Sequence, residues 1–565
     1  MNLRAEVAVD AGADFISVDL QRNSADNINQ GACFCRHCTL GFREFMKAGY
    51  SVAELSEMGI QDIDTFSYRQ FLLDRNWTLD SYKNQAWKGP AAAIPLFGDF
   101  LVYHYRAINE AHKVIADHAD AHAGKSMPFL SSSDPSQVRH TTYIPEIDGF
   151  VAEGVNYRVS SLQFRHETVL GYKIGDAVGK PSMITAGPRQ WLDIQDGGAE
   201  ALARTWIAQA YANGTIFLVP IRQWTNPGFY DPDPAEFLYM YDFVRDNREL
   251  FEGYETMAEV GLLYSHLGSR YGKAVSENAV VALVENNIPF ELIFVGDDLY
   301  ERPVDEAQLA GLEAIVITDD FQYLNREEKN LFNRYADKTV HLALLDGLWS
   351  LIPRSIEVSV GNGNVSVTPR EKSGTEKVFH LVNSSYSRAE NGIIHYSDFT
   401  VSVSEAFSNR VESATLFAPR ADPVKVNFTS GNGLTVFEIP FLGPWAILQT
   451  RVSPPDEATA VRPSTMQPEP TALLANYPNP FNPETWIPYR LHRPARVRIH
   501  IYDVRGALIR TLDLGRKPAG SYLGTSRAAY WDGRDQGGGL VASGLYFFRL
   551  QAGDFGQARK MMVLK

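Results

Sequence analysis

Ala11-Gly12-Ala13-Asp14-Phe15-Ile16-Ser17-Val18-Asp19 reads as a helix exit, a short apolar run and a carboxylate. Residues 2–10 before it have the pattern of an amphipathic helix, and the run itself is too short for another. A buried parallel strand following a helix has this form. Comparable runs recur at residues 127–130, 149–152, 182–185 and 215–219, with helical patterns at 100–122 and 199–213 between them. Strand and helix in alternation predict a parallel α/β arrangement. Five strands fall before residue 220, whereas a closed (β/α)8 barrel needs eight. If the run at Thr215 is the last strand, residues 1–255 form an incomplete TIM-type barrel whose first three units lie upstream. The opening residues fit that expectation. Arg4, Glu6 and Asp10 interrupt any apolar core, so the start is the middle of a helix and not a signal peptide.

At 565 residues the chain exceeds one hydrophobic core, and three or four domains are expected. Over 256–350, buried-strand runs at 260–264 and 314–318 alternate with helices at 278–287 and 325–338, with further strands at 290–295 and 340–345. This predicts a flavodoxin-like α/β domain. It has no glycine-rich phosphate loop after its first strand, so no nucleotide is assigned. From 351 to 452 the period changes to two, as in Val378-Phe379-His380-Leu381-Val382, which predicts an antiparallel β-sandwich. A Pro/Thr/Glu-rich stretch, 453–472, reads as a linker, and 473–565 as a second small β-sandwich domain. The fold class is therefore multidomain α/β plus all-β.

The net charge of −14, with no Lys/Arg-rich run, argues against a nucleic-acid partner. No apolar run approaches the 20 or so residues that a membrane span needs. The 9 Trp and 26 Tyr suit either sugar-stacking platforms or β-sandwich cores.

Three prolines alternate with asparagines in Asn476-Tyr477-Pro478-Asn479-Pro480-Phe481-Asn482-Pro483, which fixes an extended, turn-rich entry to a strand. After it come Val497-Arg498-Ile499-His500-Ile501-Tyr502-Asp503, Tyr530-Trp531-Asp532-Gly533, Gly544-Leu545-Tyr546-Phe547-Phe548-Arg549-Leu550 and the ending Lys560-Met561-Met562-Val563-Leu564-Lys565. Across the segment this resembles the type IX secretion sorting domain and its immunoglobulin-like relatives. The resemblance implies secretion or cell-surface display through a dedicated secretion machinery, and no part in chemistry.

All three cysteines lie in Cys33-Phe34-Cys35-Arg36-His37-Cys38. An odd count in six residues is no disulfide framework. The C-x-C-x-x-C spacing suits a soft tetrahedral ion such as structural zinc, which wants four N/S ligands. His37 or an upstream cysteine would be the fourth, and an unmetallated reduced cluster or one oxidised pair is the competing reading. With Val18-Asp19-Leu20-Gln21 before it and Phe42-Arg43-Glu44-Phe45-Met46 after it, the segment resembles family-42 β-galactosidases and related barrel glycosidases. That resemblance covers about residues 1–450. It implies a glycosidase-like barrel, a zinc-binding cysteine motif, a trimerisation-type flavodoxin-like domain and a small β domain. A carbohydrate substrate and a homotrimer follow from it.

Glycosidic hydrolysis normally uses two carboxylates, and in a barrel they sit at the carboxyl ends of strands. The family-42 pattern has an Asn-Glu pair where this chain has Leu20-Gln21, and a Glu after the seventh strand where it has Thr185-Ala186-Gly187. That catalytic pair does not carry over. Asp19 and Glu153 close the first and third visible strands and are the alternative pair. Gln21, Asp134, Tyr157, Trp191 and Trp224 are candidates for substrate binding. Each also has a plainer role: Asp19 and Asp134 as caps or turn formers, the tryptophans as plugs of the barrel mouth. His140 and His166 read as structural, and Arg189 and Arg222 as ligands of a uronic acid carboxylate. Two functions remain open: an exported glycoside hydrolase, and a non-catalytic carbohydrate-binding or structural surface protein on a degenerate barrel.

Overall fold

The computed structural model describes residues 2–18, 28–31, 33–88, 93–132, 146–153, 166, 168–224, 228–270, 276–297, 299–300, 302–341, 354–360, 364–372, 375–387, 392–452, 471–474, 476, 479, 481–491, 495–517, 520–522, 528–553 and 555–564. The chain divides into two compact units, Met1–Pro454 and Pro455–Lys565.

Five short strands open the first unit: Ile16–Val18 (β1), Phe129–Ser132 (β2), Gly149–Glu153 (β3), Ser182–Thr185 (β4) and Ile216–Phe217 (β5). They form one parallel sheet in the order β1-β2-β3-β4-β5. The predicted strands fall within two or three residues of these. Pleating makes the sheet two-faced. Phe150, Ala152, Ile184 and Phe217 are fully buried in a core shared with helices Val169–Val178, Pro188–Gly197 and Glu200–Ala212. On the alternate positions Val151 and Met183 are half-buried and Ile216 is 38% exposed.

Between β1 and β2 lies a helical insert: Arg36–Gly49, Val52–Glu57, Tyr68–Leu73, Leu79–Lys88 and then the 27-residue helix Phe97–Ala123. The long helix is legible in the sequence. The helices at 52–57 and 68–73 are one and a half turns each, too short for periodicity to register, yet capping signals mark both. Ser51 and Glu54 form a reciprocal capping box, and the Ser67 hydroxyl accepts from the Gln70 N–H. Aromatic packing closes the insert, with the Phe100 ring 5.3 Å from Phe34, 5.1 Å from Phe42 and 4.6 Å from Tyr68. The long helix is tied to Asn2–Asp10 by His118–Glu6 and His122–Asp10, both at 2.8 Å.

A second parallel sheet uses Val260–Ser265, Phe290–Val295, Ala314–Ile317 and Thr339–His341, with the 260 strand between the 290 and 314 strands. Its first strand is buried at every position. Val260, Leu262 and Tyr264 join the core of the first sheet, while Leu263, Ile293, Val295, Ile315 and Ile317 join a separate core with Leu309 and Phe332. Antiparallel strands follow in two sheets. Ile356–Val358, Tyr396–Ser404, Phe428–Gly431 and Leu434–Leu442 form one; Val365–Lys372, Glu376–Asn383, Val411–Ala418, Ala421–Lys425 and Trp445–Val452 form the other, with Glu255–Thr256 added at its edge. Phe379, Leu381, Val401, Val403, Phe437 and Leu448 fill the space between them.

Among its described residues the second unit is all-β. Its largest sheet has four antiparallel strands, with Ala495–Asp503 and Gly544–Ala552 in the middle and Leu508–Lys517 and Phe555–Val563 at the edges. Val497, Ile499, Ile501, Phe548, Leu550 and Trp531 form its core.

Candidate functional site at the carboxyl rim of the first sheet

In a parallel sheet the carboxyl ends of all strands share one edge, and the loops leaving it converge there. Register pairs Glu153 with Thr185 at this edge, while Val18, the residue before Asp19, pairs with Ser131. The structure thus aligns the ends of the strands on which the candidate carboxylates were predicted. Asp19, Gln21, Asp134, His140 and Tyr157 lie outside the described residues, and of Glu153 and Trp224 only the backbone is described.

Trp191, on the first turn of helix Pro188–Gly197, has no accessible surface. Its indole N–H donates to the Thr185 hydroxyl at 3.4 Å. The ring stacks on Tyr230 at 5.3 Å and meets Trp206 edge-on at 6.4 Å. Tyr230 belongs to the hairpin Gln223–Trp224 and Phe229–Tyr230, which packs onto this tryptophan. Of the two roles the sequence allows, burial gives Trp191 that of a plug beneath the rim. Burial also raises the Tyr230 phenol pKa. Arg222 lies over Phe229 at 4.1 Å and pairs with Asp231 at 3.3 Å, and Arg189 pairs with Asp193 at 3.3 Å. His166 is buried and its Nδ1 contacts Gln209 Nε2 at 2.9 Å, as a structural histidine would.

Asp193 was missed by the sequence reading. It sits in the second turn of the helix leaving β4, is only 7% exposed, and leaves Oδ2 buried with no hydrogen-bond partner among the described residues. Desolvation raises its carboxyl pKa, with Arg189 opposing. On a helix it reads in sequence as solvated surface; the one available signal was its i,i+4 spacing from Arg189, directly after a strand end.

The cysteines do come together. Cys33, Cys35 and Cys38 bring their sulfurs within 4.8 Å of one another, and no disulfide joins them. Cys35 is the N-cap of helix Arg36–Gly49, and its Sγ accepts the Cys38 N–H at 3.5 Å. That backbone hydrogen bond, with those from the neighbouring thiols, lowers the Cys35 pKa to about 7, while burial pushes Cys38 up to about 12. Three convergent soft donors fit zinc if a fourth ligand is supplied. His37 is exposed and is not part of this cluster.

Away from the rim, a polar cavity of 540 Å³ is lined by Lys173, Asp176, Thr256, Glu291, Arg302 and Arg370, among others. Lys173 is 5% exposed, and desolvation lowers its ammonium pKa to about 8.

The C-terminal strands match the FlgD Ig-like domain family over residues 485–555. The chain is similar to an alpha-agarase of Alteromonas agarilytica, with 25% identity over 475 residues, and equally to an alpha-agarase of Thalassotalea agarivorans. Each match covers 80% of this chain and 32% of the relative, so the chain spans about a third of the length of these relatives. Among solved structures, alpha-L-fucosidase isoenzyme 2 from Paenibacillus thiaminolyticus overlaps with a TM-score of 0.47 at 12% identity, covering 80% of each chain. An exo-carrageenase from Bacteroides ovatus overlaps with a TM-score of 0.41 at 11% identity, covering 74% of this chain and 63% of that one.

Proposed function

We propose that this chain is a glycoside hydrolase-like protein acting on an agar-type galactan through carboxylates at the carboxyl rim of the first sheet. The similarity to two alpha-agarases over 80% of the chain carries this reading. Asp19 and Glu153 would be the reacting pair, one protonating the leaving oxygen and the other attacking the anomeric carbon or activating water. Gln21, Asp134, Tyr157 and Trp224 would hold sugar hydroxyls and ring faces. Trp191, fully buried, would support Thr185 and the hairpin from beneath.

The five sequential parallel strands are read as consecutive units of a TIM-type barrel. The sheet at 260–341 is read as a flavodoxin-like, trimerisation-type domain, and the C-terminal module as the export element. Cys33, Cys35 and Cys38 would hold a structural zinc that fixes the start of helix Arg36–Gly49, with the fourth ligand unassigned. Metal analysis of the purified chain, giving one zinc or none, decides this, and light scattering decides the trimer.

Glu153→Gln should lower release of reducing ends from agarose by more than about 100-fold, since it removes a general acid–base or nucleophilic group. The circular dichroism spectrum should stay unchanged. Undiminished turnover removes Glu153 from the site. A second reading, a carbohydrate-binding protein without turnover, is favoured by Thr185 at a strand end where the family-42 pattern has a glutamate. Retention on agarose with no turnover by the wild-type chain would establish it.

A further inference from the structure

Residues 473–565 contain fourteen Lys and Arg against six Asp and Glu, a net of +8, in a chain whose total is −14. The rest of the molecule therefore carries −22. Such an asymmetry points to a partner for one part only.

The four-stranded sheet collects part of this excess on one face. Along Ala495–Asp503 the odd positions Val497, Ile499 and Ile501 are fully buried, so pleating turns Arg496, Arg498, His500 and Tyr502 outward. Across the ladder Arg498 stands opposite Gln551, His500 opposite Arg549 and Tyr502 opposite Phe547, and Phe547 in turn stands opposite Lys560. Arg496 is 64% exposed, and Arg549, Lys560 and Phe547 are exposed too. Asp513 partly neutralises one side, at 2.8 Å from Arg496 and 3.2 Å from Arg498. Among the described residues Arg549 and Lys560 have no ion-pair partner. The Arg549 guanidinium lies over Gly556, where an added Cβ would stand 2.9 Å from Nη2. Glycine there lets the guanidinium lie along the sheet surface.

We propose that this face is a binding site for anionic polysaccharide of the sulfated or uronate-bearing galactan class. The cations would take sulfate or carboxylate groups, and Phe547 with Tyr502 would stack on the apolar faces of sugar rings. A few spaced cations interleaved with aromatic rings suit a polymer of low charge density better than duplex DNA, with one phosphate charge per roughly 1.7 Å of axis. The choice of a galactan rests on the function proposed above. Joined by the linker read at 453–472, such a module would raise the local concentration of polymer around the first unit.

The test is affinity electrophoresis of the full chain through gels containing a sulfated galactan, the same galactan after chemical desulfation, or duplex DNA. The expected result is retardation by the sulfated polymer that weakens with salt. It should fall at least about tenfold in Arg498→Ser/Arg549→Ser/Lys560→Ser and in the single reversal Lys560→Glu, whose exposed site carries little folding risk. Equal retardation by the desulfated galactan or by DNA overturns the proposal, as does unchanged retardation of both variants. Turnover of agarose is scored separately, so a failed hydrolase reading leaves the retardation result interpretable, and the reverse.

Discussion

The two parallel sheets of the first unit are built from the same kind of strand yet differ in how fully their two faces are packed. In the sheet at 260–341 the 260 strand lies between its successors, and its two faces fill two different cores: Leu262 and Tyr264 on one side, Leu263 with Ile293 and Ile315 on the other. In β1–β5 the strands follow one another in order, one face is packed, and on the other, among the described residues, Leu130 is buried while Val151 and Met183 are half-buried. Where both faces are used, only strand ends remain for function.

The largest effect expected from probing this contrast is at the plug. Trp191→Ala removes a fully buried indole and its bond to Thr185 and should cost about 3–5 kcal/mol, read from the midpoint and slope of urea unfolding. A loss under about 1 kcal/mol would mean that the hairpin at 223–230 does not close over it. Next come the matched strand positions. Leu263→Ala, buried on the doubly covered sheet, should cost about 2–4 kcal/mol, and Met183→Ala, on the half-open face, under about 1 kcal/mol. Equal costs would show that Met183 is packed as fully as Leu263.

A different kind of effect concerns Lys173. Its folded pKa, about 8, lies below the ordinary 10.5. Between these values the unfolded chain holds the proton and the folded chain releases it, so stability should rise as pH increases from about 8 to 10.5. Lys173→Met should flatten that rise and add about 1–3 kcal/mol at pH 7, within the linkage of about 1.4 kcal/mol per pKa unit. A variant with the wild-type pH profile would show that the ammonium keeps its hydration through the adjoining cavity.

Strands were legible because burial on one or both faces writes a short apolar run, and 182–185 was located to the residue. Their register was not, since pairing Glu153 with Thr185 depends on contacts between segments about thirty residues apart. The cysteine cluster was legible from spacing alone. Trp191 was found but its burial was not, because a tryptophan after a strand looks the same whether it faces a ligand or a core. Asp193 was invisible for a related reason: its environment is made by the fold around it, and nothing adjacent in sequence distinguishes it from a solvated helical carboxylate.

Ile16 pairs with Phe129 across 113 positions of chain, most of them in the helical insert. For flexible chain, closing a loop of that length costs only about 1.5 kcal/mol more than closing one of twenty residues, because the entropy grows with the logarithm of length. Helices formed within the insert lower the difference further by shortening the chain that must be gathered. The junction between β1 and β2 is thus a place where lineages can exchange whole helical inserts for others of different size with little thermodynamic resistance, and where a designer could graft one.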